Sequence, residues 1–343
     1  MGDILHALPA VAALRAACPG WHIDWAVEPR WQPLLAADDD LPESLRCAQR
    51  PLVDGVIPAP TKQWGKAPFS LKTATEVLSL RRKLRAAGYD VVLDLQGSIK
   101  SAVIASFAGA RRMIGTDAPR ERPARWFYSE PVRTSGGHVI EQGLEIASAI
   151  APERLAFTPP PLPVSRPAEQ WCDALLGECG SAPLVLINPG AGWGAKCWPQ
   201  ERYGKVAAAL AAEGCTVLVN AGPGEEELAK RVCDAAGGKA RAVLCTIEQL
   251  IALTRRIALL IAGDTGPLHL ACALGKPVLG IYGPTEPGRN GPYGTRSQVL
   301  RSTTSRRDHR RIKETEAGLM TIEADAVVRA AGELMNEGAG ESQ

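Results

Sequence analysis

The chain has 343 residues, 45% apolar and 22% charged, the make-up of a folded globular protein rather than of a disordered or fibrous one. That length accommodates about two domains of ordinary size, each able to bury its own core. Lysine and arginine total 39 against 37 acidic residues, so the net charge of +2 gives no ground for a nucleic-acid or acidic partner, and any such claim must rest on local patches. Nine cysteines contain no C-x-x-C pair and no Cys/His set with zinc spacing, which points to a reducing, cytoplasmic setting; neither a metal nor a cofactor is expected. The start, MGDILHALPA, lacks a basic leader, and no later run reaches the roughly 18 uncharged apolar residues of a membrane span.

Short apolar runs alternate with segments of helical period, the pattern of βαβ units and parallel sheets. In the first half the strands are expected at His22–Glu28, Gly55–Pro58 and Val91–Leu95, with helices at Leu71–Ala87, Ile99–Ala108 and His138–Ile150. A proline-rich stretch, residues 157–167, can continue neither a helix nor a central strand and reads as a linker. It divides an N-terminal domain, residues 1–156, from a C-terminal one, residues 168–343, giving an α/β protein of two Rossmann-like domains facing a cleft. In the second half strands are expected at Leu184–Asn188, Thr216–Ala221, Leu259–Ala262 and Pro277–Tyr282. Helices are expected at Glu201–Ala212, Glu225–Ala235, Ile247–Arg255 and Leu268–Leu274. The front departs from the pattern. A Rossmann-like domain opens on a strand, whereas Met1 stands at the turn and Asp3 starts a helix through about Ala17, so the first strand is missing.

Three segments follow second-half strands and fall on the carboxyl edge, where open α/β folds bind ligands. Gly263–His269 (GDTGPLH) places Thr265 and Gly266 as a helix cap and Pro267 in the first turn; it serves equally as a plain cap or as a phosphate-binding helix start. Asp264 would repel phosphate and suits sugar hydroxyls better. In Pro189–Pro199 (PGAGWGAKCWP), Lys196 can place a point charge on a diphosphate, but the spacing fails the P-loop pattern, and a solvated lysine in a glycine-rich loop remains open. Ala221–Glu227 (AGPGEEE) offers carboxylates that suit a helix start and, at this edge, ribose hydroxyls. Taken together the three loops point to a nucleotide-diphosphate site.

First-half edges carry Asp3, the segment Gln96–Ser101 (QGSIKS), and the basic stretch Arg111–Arg125, read as an edge loop suited to an anionic substrate. Arg81, Arg82, Lys83 and Arg85 read as a solvated helix face. Asp3 is either a helix cap or a general base aimed at an acceptor hydroxyl.

MGDILHALPA, DWAVEPRW, DLQGSIKSA, KCWPQERY, GPGEEELAKR and AGDTGPLHLACALGKPVLGIYGPTEPGRNGPYG, in this order over roughly residues 1–300, resemble the lipopolysaccharide heptosyltransferase I family. The resemblance implies the GT-B architecture and an inverting transfer of L-glycero-D-manno-heptose from ADP-heptose to the first Kdo of Kdo2-lipid A. It implies Asp3 as catalytic base, Lys196 on the donor phosphate, Glu225 on the ribose and Asp264 on the heptose. Backbone donors at Thr265 and Gly266 then meet the diphosphate, with His269 in the same motif. Gln96, Lys100 and Arg120 are the expected acceptor contacts. The expected setting is the cytoplasmic face of the inner membrane, peripherally bound. Members usually begin with a strand ending in a Ser-Ser-Met-Gly-Asp turn; here Met1-Gly2-Asp3 is the turn without the strand, as expected of a late start or a truncation, and Ala191 and Gly192 stand where some members have hydroxyls. The second-heptose enzyme, another ADP-sugar transferase, and a noncatalytic nucleotide-sugar binder are the alternatives. Arg301–Lys313 matches no pattern; a solvated loop or a contact for anionic headgroups would both suit it.

Overall fold

The computed structural model describes residues 1–37, 46–305 and 314–340, so most of the Arg301–Lys313 stretch lies outside the described residues. The chain forms two compact units, one from Asp3 to Pro163 and one from Val164 to Gln343.

The first unit runs α1 (Gly2–Ala17), β1 (Asp24–Val27), β2 (Gly55–Pro58), α2 (Thr61–Lys66), α3 (Leu71–Ala86), β3 (Val91–Asp94), α4 (Ile99–Ser106), β4 (Arg112–Thr116), β5 (Glu130–Val132) and α5 (Val139–Ser148). Helix α1 is apolar around most of its circumference and buries every residue from Ala7 to Leu14, as a helix without a polar face must. All strand pairs are parallel, but they form two sheets, β1-β2 and β3-β4-β5, instead of one. The doubly wound strand order is 3-2-1-4-5-6. Strands β2 and β1 supply 3-2 and strands β3 to β5 supply 4-5-6, so the break falls where the strand ahead of α1 belongs.

The second unit runs α6 (Arg166–Gly177), β6 (Leu184–Asn188), α7 (Gln200–Ala212), β7 (Thr216–Ala221), α8 (Glu226–Ala235), β8 (Arg241–Leu244), α9 (Ile247–Thr254), β9 (Leu259–Gly263), α10 (Gly266–Ala273), β10 (Val278–Tyr282), α11 (Pro287–Asn290), β11 (Ser297–Arg301) and α12 (Ala324–Gly340). Its sheet is a single parallel one in the order β11-β10-β9-β6-β7-β8, the doubly wound order complete. Every residue of β6, β9 and β10 is buried, which is why these strands read as continuous apolar runs rather than alternating ones. Behind the sheet, Trp198 packs edge-on against Tyr203 at 4.8 Å between ring centres. The Trp198 indole donates to the Ile322 carbonyl at 3.1 Å, tying the start of α7 to the segment that leads into α12.

Among the elements not anticipated are β8 and α6 of the second unit. Strand β8 is short with three of its four residues exposed, and α6 begins inside the proline-rich stretch, where Ser165 caps it and Pro167 occupies the first turn. The reading of Arg111–Arg125 as one edge loop is corrected. Arg112 opens β4 and is held bidentate by Glu130, with both N–O distances 2.8 Å, while Arg122 and Arg125 lie in a 3-10 turn. Arg81, Arg82, Lys83 and Arg85 are exposed on α3.

Helices α7 and α8 meet at Gly204, where an added Cβ would lie 2.4 Å from the Ala235 Cβ and 3.0 Å from the Val232 carbonyl oxygen. Gly204→Ala gains about 1 kcal/mol of helix propensity but overpacks a backbone contact at about 1–3 kcal/mol. The variant is expected to unfold at lower urea concentration than the parent, and a higher midpoint would show that the helices part without strain.

Candidate active site

Strand order in the second unit reverses between β6 and β9, so the loops after these strands flank the same crevice on the carboxyl edge. Lys196 comes from the first loop and Asp264 from the second, and they meet at 2.5 Å although 68 residues apart in the chain. The ammonium also lies 4.2 Å above the centre of the Trp193 ring, a cation–π contact that sequence reading missed. The other Asp264 oxygen is 3.2 Å from Nε2 of the buried His269, one turn into α10. Burial alone would raise the Asp264 pKa, but the hydrogen bonds and charges of His269 and Lys196 outweigh it and hold the carboxyl well below the usual range.

Thr265 precedes α10 as expected of a cap, yet its hydroxyl turns back to the Gly263 carbonyl at 3.3 Å and no side chain caps the helix. With Pro267 lacking an N–H, the Gly266 and Leu268 amides are the first-turn donors presented at a helix start that favours anions.

Glu225 stands at the start of α8, and of the three successive glutamates it alone turns back into the edge. Its carboxylate accepts from the Gly222 amide at 3.1 Å and lies on Gly190, where an added Cβ would come within 2.4 Å of Oε2. Glu226 instead accepts from the Gly224 amide at 3.1 Å. Gly190 is held by a ladder of strand-end amides, Asn220 donating to Asn188 at 2.7 Å and Asn188 donating to the Gly190 carbonyl at 3.2 Å. The loops after β6, β7 and β9 are thereby locked to one another at the crevice.

In the first unit, Asp3 lies in the first turn of α1 with its side chain 54% exposed. Gln96 donates to its Oδ2 at 2.8 Å, and Nη1 of Arg120 lies 3.6 Å from the same oxygen. Oδ1 has no hydrogen-bonding partner among the described residues. Lys100, on the exposed first turn of α4, makes no hydrogen bond or ion pair among the described residues.

What brings Gln96 and Arg120 to one oxygen is Asp94, the buried last residue of β3, which sequence reading passed over as part of a strand. One of its oxygens accepts from the Gln96 and Gly97 amides at 3.0 and 3.1 Å. The other accepts from the Ser101 hydroxyl at 2.9 Å and the Tyr128 hydroxyl at 2.8 Å. Gly97 adopts φ +65°, and its carbonyl accepts from the Glu121 amide at 3.0 Å, while the Glu121 carboxylate accepts from the Ile99 amide at 2.8 Å. Two loops are thus clamped together. The signal in the sequence was a carboxylate at a strand end, two residues before a glutamine and three before a glycine, where a buried acceptor can gather successive amides.

The architecture and the edge chemistry define a class: a doubly wound α/β protein with a cation, an uncapped helix start and carboxylates gathered at the switch point. A family model described as glycosyltransferase family 9 (heptosyltransferase) matches residues 77–320. The chain belongs to that family and is a glycosyltransferase with the GT-B fold. It is 32% identical over 317 residues to lipopolysaccharide heptosyltransferase 1 of Pseudomonas aeruginosa, covering 87% of this chain and 80% of that one. To the enzyme of the same name from Escherichia coli strain K12 it is 29% identical over 307 residues, covering 88% and 91%. Among solved structures it is similar to the E. coli heptosyltransferase WaaC with ADP, at a TM-score of 0.74 and 26% identity over 97% of this chain and 96% of that one.

The lowered Asp264 pKa carries a sign. Its stabilising effect is present above the unfolded-state value of about 3.9 and is lost as pH falls through the lower folded value. Asp264→Asn is expected to cost about 3 kcal/mol at pH 7, as for one partner of a buried pair. Urea titrations of both proteins from pH 7 down to pH 3 should show that deficit narrowing, and a pH-independent deficit would refute the assignment.

Proposed function

We propose that the enzyme transfers L-glycero-D-manno-heptose from ADP-heptose to the first Kdo residue of Kdo2-lipid A, in the inner core of lipopolysaccharide. The observation that carries this reading is the meeting of Lys196 and Asp264 across the switch point, with Glu225 on the neighbouring loop. That set matches the chemistry of an ADP-sugar: a cation and the Gly266 amide for the diphosphate, a carboxylate for ribose hydroxyls, and Asp264 with His269 for the sugar. The names of the relatives, lipopolysaccharide heptosyltransferase 1 in two organisms, support the heptose donor and the lipopolysaccharide acceptor. A further solved structure, that of E. coli heptosyltransferase WaaC with ADP-2-deoxy-2-fluoro heptose, supports the same donor.

In the first unit, Asp3 is the general base. Gln96 and Arg120 hold one of its oxygens, leaving Oδ1 to take the proton from a Kdo hydroxyl. The oxygen so exposed attacks the anomeric carbon of the heptose, the bond from that carbon to the diphosphate breaks, and ADP leaves from the opposite face with inversion. Lys196 and the start of α10 meet the charge that develops on the departing diphosphate. Arg120, and Lys100, whose ammonium has no partner among the described residues, contact the anionic acceptor. The acceptor being a lipid, the reaction takes place at the cytoplasmic face of the inner membrane.

Purified enzyme supplied with ADP-heptose is expected to heptosylate Kdo2-lipid A and to leave its monoheptosyl product untouched. The reverse preference would assign it to the second heptose, and donor binding without ADP release would make it a binding protein. Asp3→Asn should abolish transfer while binding ADP-heptose with unchanged affinity by calorimetry. Gln96→Ala, which frees the carboxylate to turn, should lower kcat about tenfold with KM for ADP-heptose unchanged, a loss of about 1.4 kcal/mol in transition-state stabilisation.

A further inference from the structure

Between β2 and α3 the first unit builds a small, well-braced platform that turns large apolar side chains to water. Trp64 is buried and its indole donates to Glu76 at 2.8 Å. Ser70 caps α3 by accepting from the Thr73 amide at 3.0 Å, and the Thr73 hydroxyl returns to the Ala67 carbonyl at 2.8 Å. Glu28, just past β1, accepts from the Thr61 hydroxyl at 2.7 Å and so pins the start of α2. On this framework Phe69 is 100% exposed and Leu71 86% exposed. A segment that buries its tryptophan and satisfies its own polar groups could bury a phenylalanine too. Holding one wholly in water calls for an occupant.

Glu28 and Glu76 brace the platform from outside it, and the segment itself carries only positive charge. Residues 55–75 contain no aspartate or glutamate, and Lys62 and Lys66 are exposed on either side of Trp64. Lys72 is also exposed, within 3.9 Å of Glu76. Exposed apolar residues amid lysines are the chemistry of a surface that enters the boundary between anionic headgroups and acyl chains. Placement agrees. The platform follows the carboxyl end of β2, and Arg30, two residues beyond Glu28, lies close enough to the Met1 amino group to act on its charge. It therefore shares the edge on which Asp3 opens α1. No helix among the described residues is long and apolar enough to cross a membrane, so attachment through this unit would be at the surface.

We propose that the segment Lys62–Lys72 is a bilayer-docking surface: Phe69 and Leu71 enter the interface of an anionic membrane while Lys62 and Lys66 engage lipid phosphates. This deepens the functional reading, since a lipid-borne acceptor is met at a bilayer, but its test needs no turnover. The full chain is sedimented with vesicles of phosphatidylethanolamine containing or lacking phosphatidylglycerol. Binding is expected only with phosphatidylglycerol, and it should weaken as salt rises. Phe69→Ser combined with Leu71→Ser should lower vesicle affinity about tenfold, and Lys62→Gln combined with Lys66→Gln should remove the dependence on phosphatidylglycerol. Transfer to water-soluble, deacylated Kdo2-lipid A should stay at the parent rate in the serine variant, which also reports that it folds. Equal vesicle binding by parent and serine variant overturns the proposal. So does a parent dimer that the serine substitutions convert to monomer, which would make a second copy of the chain the occupant. Vesicle binding lost in the variant, with a parent inactive on every acceptor, would uphold the surface and overturn the functional reading instead.

Discussion

The pairing of β6 with β9 is the constraint from which the arrangement of the second unit's edge follows. Strands adjacent in space but far apart in sequence leave their following loops to run in opposite directions from the switch point. No crossover helix fills the space between them. Lys196 and Asp264 are neighbours for that reason alone. The buried, β-branched and leucine-rich strands supply a rigid floor, and the asparagine pair at the ends of β6 and β7 transmits that rigidity to Gly190 and through it to Glu225. Each polar group at the edge is positioned by backbone that the hydrophobic core has already fixed.

The first unit solves the same problem differently. Its strands fall into two sheets, so the order of the sheet places fewer edge loops, and a buried carboxylate takes over part of the work. Asp94 gathers four donors onto its two oxygens and organises the loop that carries Gln96. A glycine at positive φ lets that loop lie against its neighbour: an added Cβ at Gly97 would come within 3.2 Å of the Arg120 amide and 3.3 Å of Pro119. The placement of the Gln96 side chain on Asp3 therefore depends on Asp94 and Gly97, which hold the loop that carries it.

How much of this could be read in the sequence divides along physical lines. Wherever burial is on both faces, as in LVLIN, TVLVNA and PVLGIY, the apolar run alone marks the strand to within a residue. The edge positions of Lys196 and Asp264 were legible because each follows the end of a buried strand, but their meeting with one another was not. Strand β4 was not, since RMIGT opens with an arginine whose charge is cancelled only by Glu130 on the neighbouring strand, a pairing that exists in space and not in sequence. Trp193 looked like one more residue of a glycine-rich loop until its ring was found under the Lys196 ammonium. Asp94 was hidden by its own burial, because a carboxylate inside a strand reads as a flaw in the pattern until its four donors are seen.

If the crevice holds an ADP-sugar as proposed, the Lys196–Asp264 pair also bears on how selective it is. A lysine standing alone at a helix start would capture any small anion in its surroundings, inorganic phosphate above all. Here its charge is already matched by a carboxylate and softened by an aromatic face, so orthophosphate would enter only by displacing a partner it cannot replace. A ligand with a diphosphate for the ammonium and hydroxyls for the released carboxylate compensates both sides of the broken pair. On the proposed donor reading, the resting ion pair is a filter, favouring the bifunctional guest over the abundant simple one.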